Sequence, residues 1–254
     1  MRRKYPILEF DPSVPAVIDP SRCIQPQDMP EHCVICFFRE AIARLKRRGQ
    51  AREIAAMRSE MGKHPIYEVS VQGQRLAFFQ GGVGAPLAAG MLEEAIALGC
   101  HKFVVCGGAG VLDRQIAVGH LLVPTSAVRD EGTSYHYLPP GREVATHPAA
   151  LAAVERVLQA HGVPYLRAKT WTTDAFYRET PAKVALRKSE GCLSVEMEAA
   201  ALMAVAQFRG VPLAAILYGG DDVSGSEWDG RHWESRRRVR ENLFWLAAEA
   251  CLAL

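Results

Sequence analysis

Ten residues without a charge, Ala199 to Phe208, lead almost directly into a second uncharged run, Val211 to Tyr218. The first reads as a helix, stopped by Gly210 and Pro212. The second reads as a strand that ends in Gly219-Gly220-Asp221-Asp222. A surface helix shows a polar face, and this one has none, so it must be covered by other parts of the chain. Helix, short turn, buried strand and carboxylates at the strand's end form an active-site layout of α/β proteins. Upstream, Ser194 stands as a helix N-cap, and Glu196 and Glu198 fall in the first turn at the positive end of the dipole. A glutamate heading an apolar helix is poorly solvated and needs a partner. A sugar diol is one such partner, because two hydroxyls can donate to one carboxylate.

A length of 254 residues allows one large domain or two small ones. An apolar fraction of 49% with 23% charged residues is that of an ordinary globular protein. A formal charge of +2 gives no general electrostatic case for a nucleic-acid or membrane partner. The basic clusters at residues 44–48 and 236–238 read as solvated helix faces. No apolar run is long enough to span a bilayer and the N-terminus lacks a signal-peptide core, so the expected location is cytoplasmic. Seven cysteines, several in apolar runs, fit reduced core thiols better than a disulfide frame. No metal site is evident, and no cofactor is expected.

In chain order, residues 1–30 read as an extended N-terminal arm, and residues 31–254 as one domain. Val34 to Phe38 is a strand, and Arg39 to Met61 carries a helical pattern. Ile66–Val71 and Arg75–Phe79 flank the hairpin signal Gln72-Gly73-Gln74. Gln80 to Pro86 is a glycine-rich turn between a strand and the helix Pro86–Leu98. It matches neither a dinucleotide fingerprint nor a Walker loop. Phe103–Val105 is a strand followed by a second glycine turn, Cys106 to Gly110. Two bare-backbone turns suggest a ligand pressed against main chain. Later strands are expected at Leu121–Ala127 and Tyr165–Thr172, with helices at His147–His161, Pro181–Lys188 and the C-terminus.

Val195-Glu196-Met197-Glu198-Ala199-Ala200 resembles the ribose-binding segment of the nucleoside phosphorylase and nucleosidase superfamily. The two glycine turns and Asp174-Ala175-Phe176-Tyr177 resemble further site segments of that family, over roughly residues 76–254. The resemblance implies a single α/β domain, a twisted mixed central β-sheet flanked by helices, in a homo-oligomer of two to six subunits. It implies Met197 and Glu198 as the ribose pair, Phe176, Gly110 and Glu196 against the base, and Asp221 as the acid, with Asp222 as its fallback. Breaking an N-glycosidic bond builds positive charge on the ribose and negative charge on the base. A buried carboxylate stabilises the first, and a protonated acid neutralises the second.

The nucleophile is where the chain departs from that family. Phosphorolytic members place an arginine and a hydroxyl residue where Val105 and Gly108 stand here. Ile35 to Arg39 replaces their glycine-aspartate-proline loop. Arg39, Gly82 and Gly108 are what remains as a candidate phosphate site, with Lys63 as a lesser one. The implied activity is phosphorolysis of a nucleoside to free base and sugar 1-phosphate. Two alternatives stand beside it: a nucleosidase that uses water, and a nucleoside-binding homologue without catalysis. Asp221 leans the base toward purine.

Overall fold

A computed structural model describes residues 2–254. After a short helix α1 (Pro20–Cys23), the elements run β1 (His32–Cys36), α2 (Arg39–Arg47), β2 (Arg52–Ser59), β3 (Gly62–Val71), β4 (Gln74–Gln80), α3 (Ala85–Leu98), β5 (Lys102–Val111) and β6 (Leu121–Asp130). They continue with β7 (Glu143–Ala145), α4 (Pro148–Ala160), β8 (Tyr165–Thr173), α5 (Pro181–Ser189), β9 (Cys192–Glu196), α6 (Ala199–Arg209), β10 (Leu213–Asp222) and α7 (Arg237–Leu252). All ten strands join one mixed sheet, ordered β10-β6-β8-β9-β5-β1-β4-β3-β2, with β7 beside β6. β10 also pairs in parallel with β5. Strands β5, β10, β6, β8 and β9 therefore close into a ring, and β1, β4, β3 and β2 extend from it as an open sheet.

Side-chain alternation along the strands sorts the core into two layers. Cys33, Ile35, Ala77, Phe79, Phe103, Val105, Leu213 and Ala215 face one layer, where α3 and α6 pack. Val34, Cys36, Leu76, Phe78, Val104, Cys106, Ala214 and Ile216 face the other, with α2, α4 and α7. Glu93 of α3 and Arg209 of α6 form a bidentate pair, at 2.7 and 3.0 Å, that locks the two helices together. Arg209 also reaches the buried Asp19 at 3.5 Å, which ties the N-terminal segment to the end of α6.

Three sequence expectations are corrected. The helical pattern from Arg39 breaks at Arg47; Gly49 takes φ +68°, and residues 52–59 pair as a strand with β3. Ile54 and Met57 fit either period, and strand pairing decides. Second, Ser194 caps nothing: it lies in β9 beside β8 and β5, and α6 starts only at Ala199 with Glu198 as its N-cap. Third, Cys106 to Gly110 is no turn but the interior of β5, with Gly107 and Gly108 opposite Leu217 and Tyr218. A Cβ on Gly108 would sit 3.2 Å from the Tyr218 ring, so this glycine admits an aromatic neighbour.

Candidate active site

Helices α3 and α6 both begin at one cleft, and a carboxylate meets each start. Gly84, N-cap of α3, adopts φ +93°, and its amide donates to Glu198 Oε1 at 2.6 Å. Glycine is needed there because side-chain-bearing residues seldom take that φ. The first glycine turn thus presents an amide to an anion, and that anion belongs to the chain itself. Glu196 serves α6: its Oε2 accepts the amides of Glu198 and Ala199 at 2.7 and 2.6 Å.

The orientation of Thr172 follows from its partners. Its Oγ1 accepts the Ala200 amide at 2.9 Å, so its single hydrogen is free to donate to Glu196 Oε1 at 2.6 Å. Thr170 adds a longer contact to the same oxygen at 3.4 Å. Burial raises both glutamates, and the charge of Glu196 raises Glu198 further. Hydrogen bonds decide which one carries the charge. Glu196, with two amides and a hydroxyl, is the seat of the anion. Glu198, with one strong amide donor, is pushed up to about 8 by burial and by its neighbour. Thr172→Val, which keeps the shape and removes the hydroxyl, is expected to cost roughly 3 kcal/mol in urea unfolding, because a buried carboxylate and a buried amide both lose a partner.

Two chambers meet along the glycine wall of β5. The first, about 390 Å³, is lined by Gly107 to Gly110, Met197, Glu198 and Asp221. The second, about 700 Å³, is lined by Phe176, Tyr177, Glu179, Trp228 and again Asp221. Gly110, Glu196, Met197 and Trp233 belong to both. A third cavity of about 450 Å³ holds Arg39, Lys46, Lys63, His64 and Gly82, and shares Val83 with the first.

The chain therefore brings Met197, Glu198, Asp221, Gly108 and Gly110 together, with Phe176 next door. Asp221 leans over the bare Gly110, where a Cβ would lie 3.6 Å from both carboxylate oxygens. Its Oδ2 accepts the Trp228 indole N–H at 2.7 Å. Glu196, expected at the base, has its carboxylate taken up by its own chain and acts as a positioning residue. Arg39 and Gly82 are apart from Gly108, in the third cavity. Gly82 has a packing reason of its own, since a Cβ would fall 2.3 Å from Leu87 Cγ. Val105 and Gly108 offer no side-chain donor to the first chamber.

Three residues of the cleft escape the sequence reading. Arg240 is the one basic side chain lining the first chamber among the described residues. It donates to Glu40 at 2.5 Å and to the Tyr218 hydroxyl at 2.9 Å, with Phe38, Tyr218 and Trp233 around its guanidinium. Its spacing to Leu243, Phe244 and Ala247 places it on the apolar face of α7, which is the signal that separates it from the exposed Arg236 to Arg238. Glu179 and Trp228 lie in irregular segments that carry no periodicity to read.

The description "Phosphorylase superfamily" belongs to a family model that matches residues 31–251. The chain belongs to this superfamily. The guanosine phosphorylase of Halorubrum lacusprofundi is 32% identical over 176 residues, which is 65% of this chain and 69% of that protein. Uridine phosphorylases are among its other relatives. The fold is shared with the purine nucleoside phosphorylase of Toxoplasma gondii, solved with immucillin-H, at a TM-score of 0.76 and 21% identity over 88% of this chain and 91% of that one. An AMP nucleosidase of Bacteroides thetaiotaomicron superposes with a TM-score of 0.68 at 22% identity, covering 88% and 87%. The superfamily fold thus hosts, by these names, both phosphorylases and a nucleosidase.

Proposed function

We propose that this chain is a pentosyltransferase that cleaves the N-glycosidic bond of a purine nucleoside with phosphate, giving free base and sugar 1-phosphate. The observation that carries this reading is the first chamber that Glu198 and Asp221 share, against the glycine-rich run Gly107 to Gly110. Met197 lies against the sugar, and the 2′ and 3′ hydroxyls donate to Glu198. As the C1′–N bond breaks, the positive charge on the ribose is met by that carboxylate. Asp221 gives its proton to the departing base, and Phe176 lies against the base plane. Phosphate oxygen closes the new bond to C1′ from the side of Arg39, Lys46, Lys63 and His64. That cluster presents several cations to one small space, and it adjoins the sugar chamber at Val83.

Hydrolysis is the second reading. It is favoured by the absence of donors at Val105 and Gly108, and by the tie of Arg240 to Glu40 and Tyr218, which leaves the first chamber itself poor in free positive charge. Base release from guanosine, inosine, adenosine and uridine, each with and without phosphate, separates the two. Phosphorolysis predicts release that rises at least tenfold with millimolar phosphate and yields ribose 1-phosphate. Equal release in both, with free ribose, moves the enzyme to the nucleosidases. The exposed aromatics Phe176, Tyr177 and Trp228 at the rim of the second chamber fit coverage by a second copy of the chain, so the proposed active form is a homo-oligomer. Seven free thiols support a reducing compartment, for which the cytoplasm is the proposal.

A further inference from the structure

Asp221 reaches the first chamber because β10 carries one residue more than its neighbour. Gly219 pairs with Ala109 of β5 and Asp222 with Val111, so Gly220 and Asp221 both stand opposite Gly110 alone. A bulge of this kind bends the strand and re-aims a side chain. Here it sets Asp221 over Gly110 and leaves Asp222 outside both chambers, its backbone paired with Asp229 at 2.8 and 3.1 Å. A bulge also disturbs the ladder, and a buried carbonyl that loses its ladder partner needs another donor. The buried Gly220 carbonyl accepts from Arg231, whose Nε and Nη2 lie at 3.0 and 2.8 Å. Nη1 and Nη2 of the same guanidinium donate to the Ile116 carbonyl, each at 3.0 Å. Arg231 thus staples the bulge to the β5–β6 connection. It does so from strained backbone: Arg231 and His232 take φ +44° and +50°. Strain of this kind persists where surrounding contacts over-determine it, and it clusters at functional sites.

We propose that Arg231 is the positioning residue for Asp221: its guanidinium holds the bulge at Gly220 and so fixes the acid over Gly110. The inference rests on the reading that Asp221 protonates a departing base. Arg231 lines neither chamber, so it acts through the backbone and not on the substrate. The competing arrangement is close at hand. A one-residue slip exchanges the faces of neighbouring strand residues, which would turn Asp222 toward the chamber in place of Asp221. Glycine at 220 permits the bulge without selecting it: a Cβ there would lie 3.3 Å from the Ala109 carbonyl oxygen and 3.4 Å from Trp233 Cβ. Arg231 does the selecting, because a planar fork reaches two carbonyls at once. A lysine ammonium is a point charge on a flexible stem and does not reproduce that fork. Misplacing a reacting group by one ångström costs about 10²-fold in rate, which sets the size of the expected effect.

The test uses Arg231→Gly, which removes the clamp and at the same time relieves the backbone at φ +44°, so loss of the fork is not compounded by strain. Its kcat on guanosine is expected to fall about 10²-fold with KM within a few-fold. The rate on p-nitrophenyl riboside, whose leaving group departs without a proton, should fall far less. Millimolar methylguanidinium is expected to restore most of the guanosine rate to this variant, and Arg231→Lys to stay low. A second readout needs no turnover. The Trp228 indole N–H donates to Asp221 Oδ2 at 2.7 Å, and its resonance in a proton–nitrogen correlation spectrum is identified by its loss in Trp228→Phe. That resonance should move in Arg231→Gly and return with methylguanidinium. His232→Gly, which relieves the neighbouring strain and keeps the fork, should leave it at the wild-type position. Equal loss on the two substrates, or an unmoved indole resonance in Arg231→Gly, overturns the proposal. If the wild type cleaves no nucleoside while the resonance follows the clamp, positioning stands and the glycosidic reading fails. If guanosine is cleaved with no dependence on Arg231, the reading stands and the positioning role falls.

Discussion

Glu198→Gln is expected to lower kcat/KM for any nucleoside by at least a factor of about 10³, and to raise the thermal midpoint at pH 9. The two effects share one cause. Ribose hydroxyls donating to a charged acceptor contribute about 1.5–3 kcal/mol each, and the glutamine oxygen accepts at most part of that while its amide hydrogens oppose the diol. Loss of the charge that faces the oxocarbenium-like sugar adds to the deficit in the transition state. In the empty protein, however, the same charge is a liability. Burial, and then Glu196, hold Glu198 at about 8, well above a carboxylate's ordinary range. The folded chain therefore binds this proton more tightly than the unfolded chain does. Stability from this group is full below the unfolded value and is lost as pH rises through about 8. Glutamine does not titrate, so the gain in midpoint should vanish near pH 4 and reach its full size near pH 9. Circular dichroism melts across that range, set beside initial rates, check both halves. Unchanged rates would remove the sugar from Glu198, and a lower midpoint at pH 9 would show that the acid is comfortable when charged. A corollary concerns affinity: a diol that donates to the ionised form should bind more tightly as pH climbs from 6 toward 8.

The arrangement explains why a glycine turn and an apolar helix were informative together. Gly84 and Glu198 are 114 residues apart, and their bond joins the starts of α3 and α6. Each segment alone has a bland explanation; only the fold makes them partners. The sheet and its buried helices were legible because α6 and β10 have no polar face to expose, and the Gln72–Gln74 hairpin was legible from its turn chemistry. What failed to read were positions where tertiary pairing overrides local pattern. Residues 52–59 have helix-compatible spacing, yet β3 captures them. Gly107 and Gly108 look like a turn, yet they are strand residues kept small for Phe37 and Tyr218. Arg240 was hidden beside an exposed arginine run, and Glu179 sits where the chain has no period at all. The acids of the site were therefore found where they flank regular elements, and missed where irregular backbone carries them.

Asp221→Asn is expected to slow release of a purine by about 10²–10⁴, the usual worth of a positioned general acid. The amide oxygen of asparagine can still accept the Trp228 indole N–H, so the local bond at 2.7 Å in the wild type has a replacement, and the loss can be read as loss of a proton donor. A substrate whose leaving group needs no proton, such as p-nitrophenyl riboside, separates chemistry from damage. It should be cut by the variant within a few-fold of the wild-type rate, while guanosine and inosine are not. Asp222 provides the contrast. It is buried, its Oδ1 accepts the Ser224 amide at 2.8 Å, and it lies within 3.6 Å of Arg114. Burial pushes its carboxyl up, but Ser224, Arg231 and Arg114 together hold it below the usual range. It lines neither chamber, and a group held ionised cannot supply a proton to a base. Asp222→Asn should therefore cost stability at neutral pH and leave the ratio of purine to p-nitrophenyl substrate unchanged. If that ratio instead collapses in the Asp222 variant and survives in the Asp221 variant, the acid has been placed one residue too early.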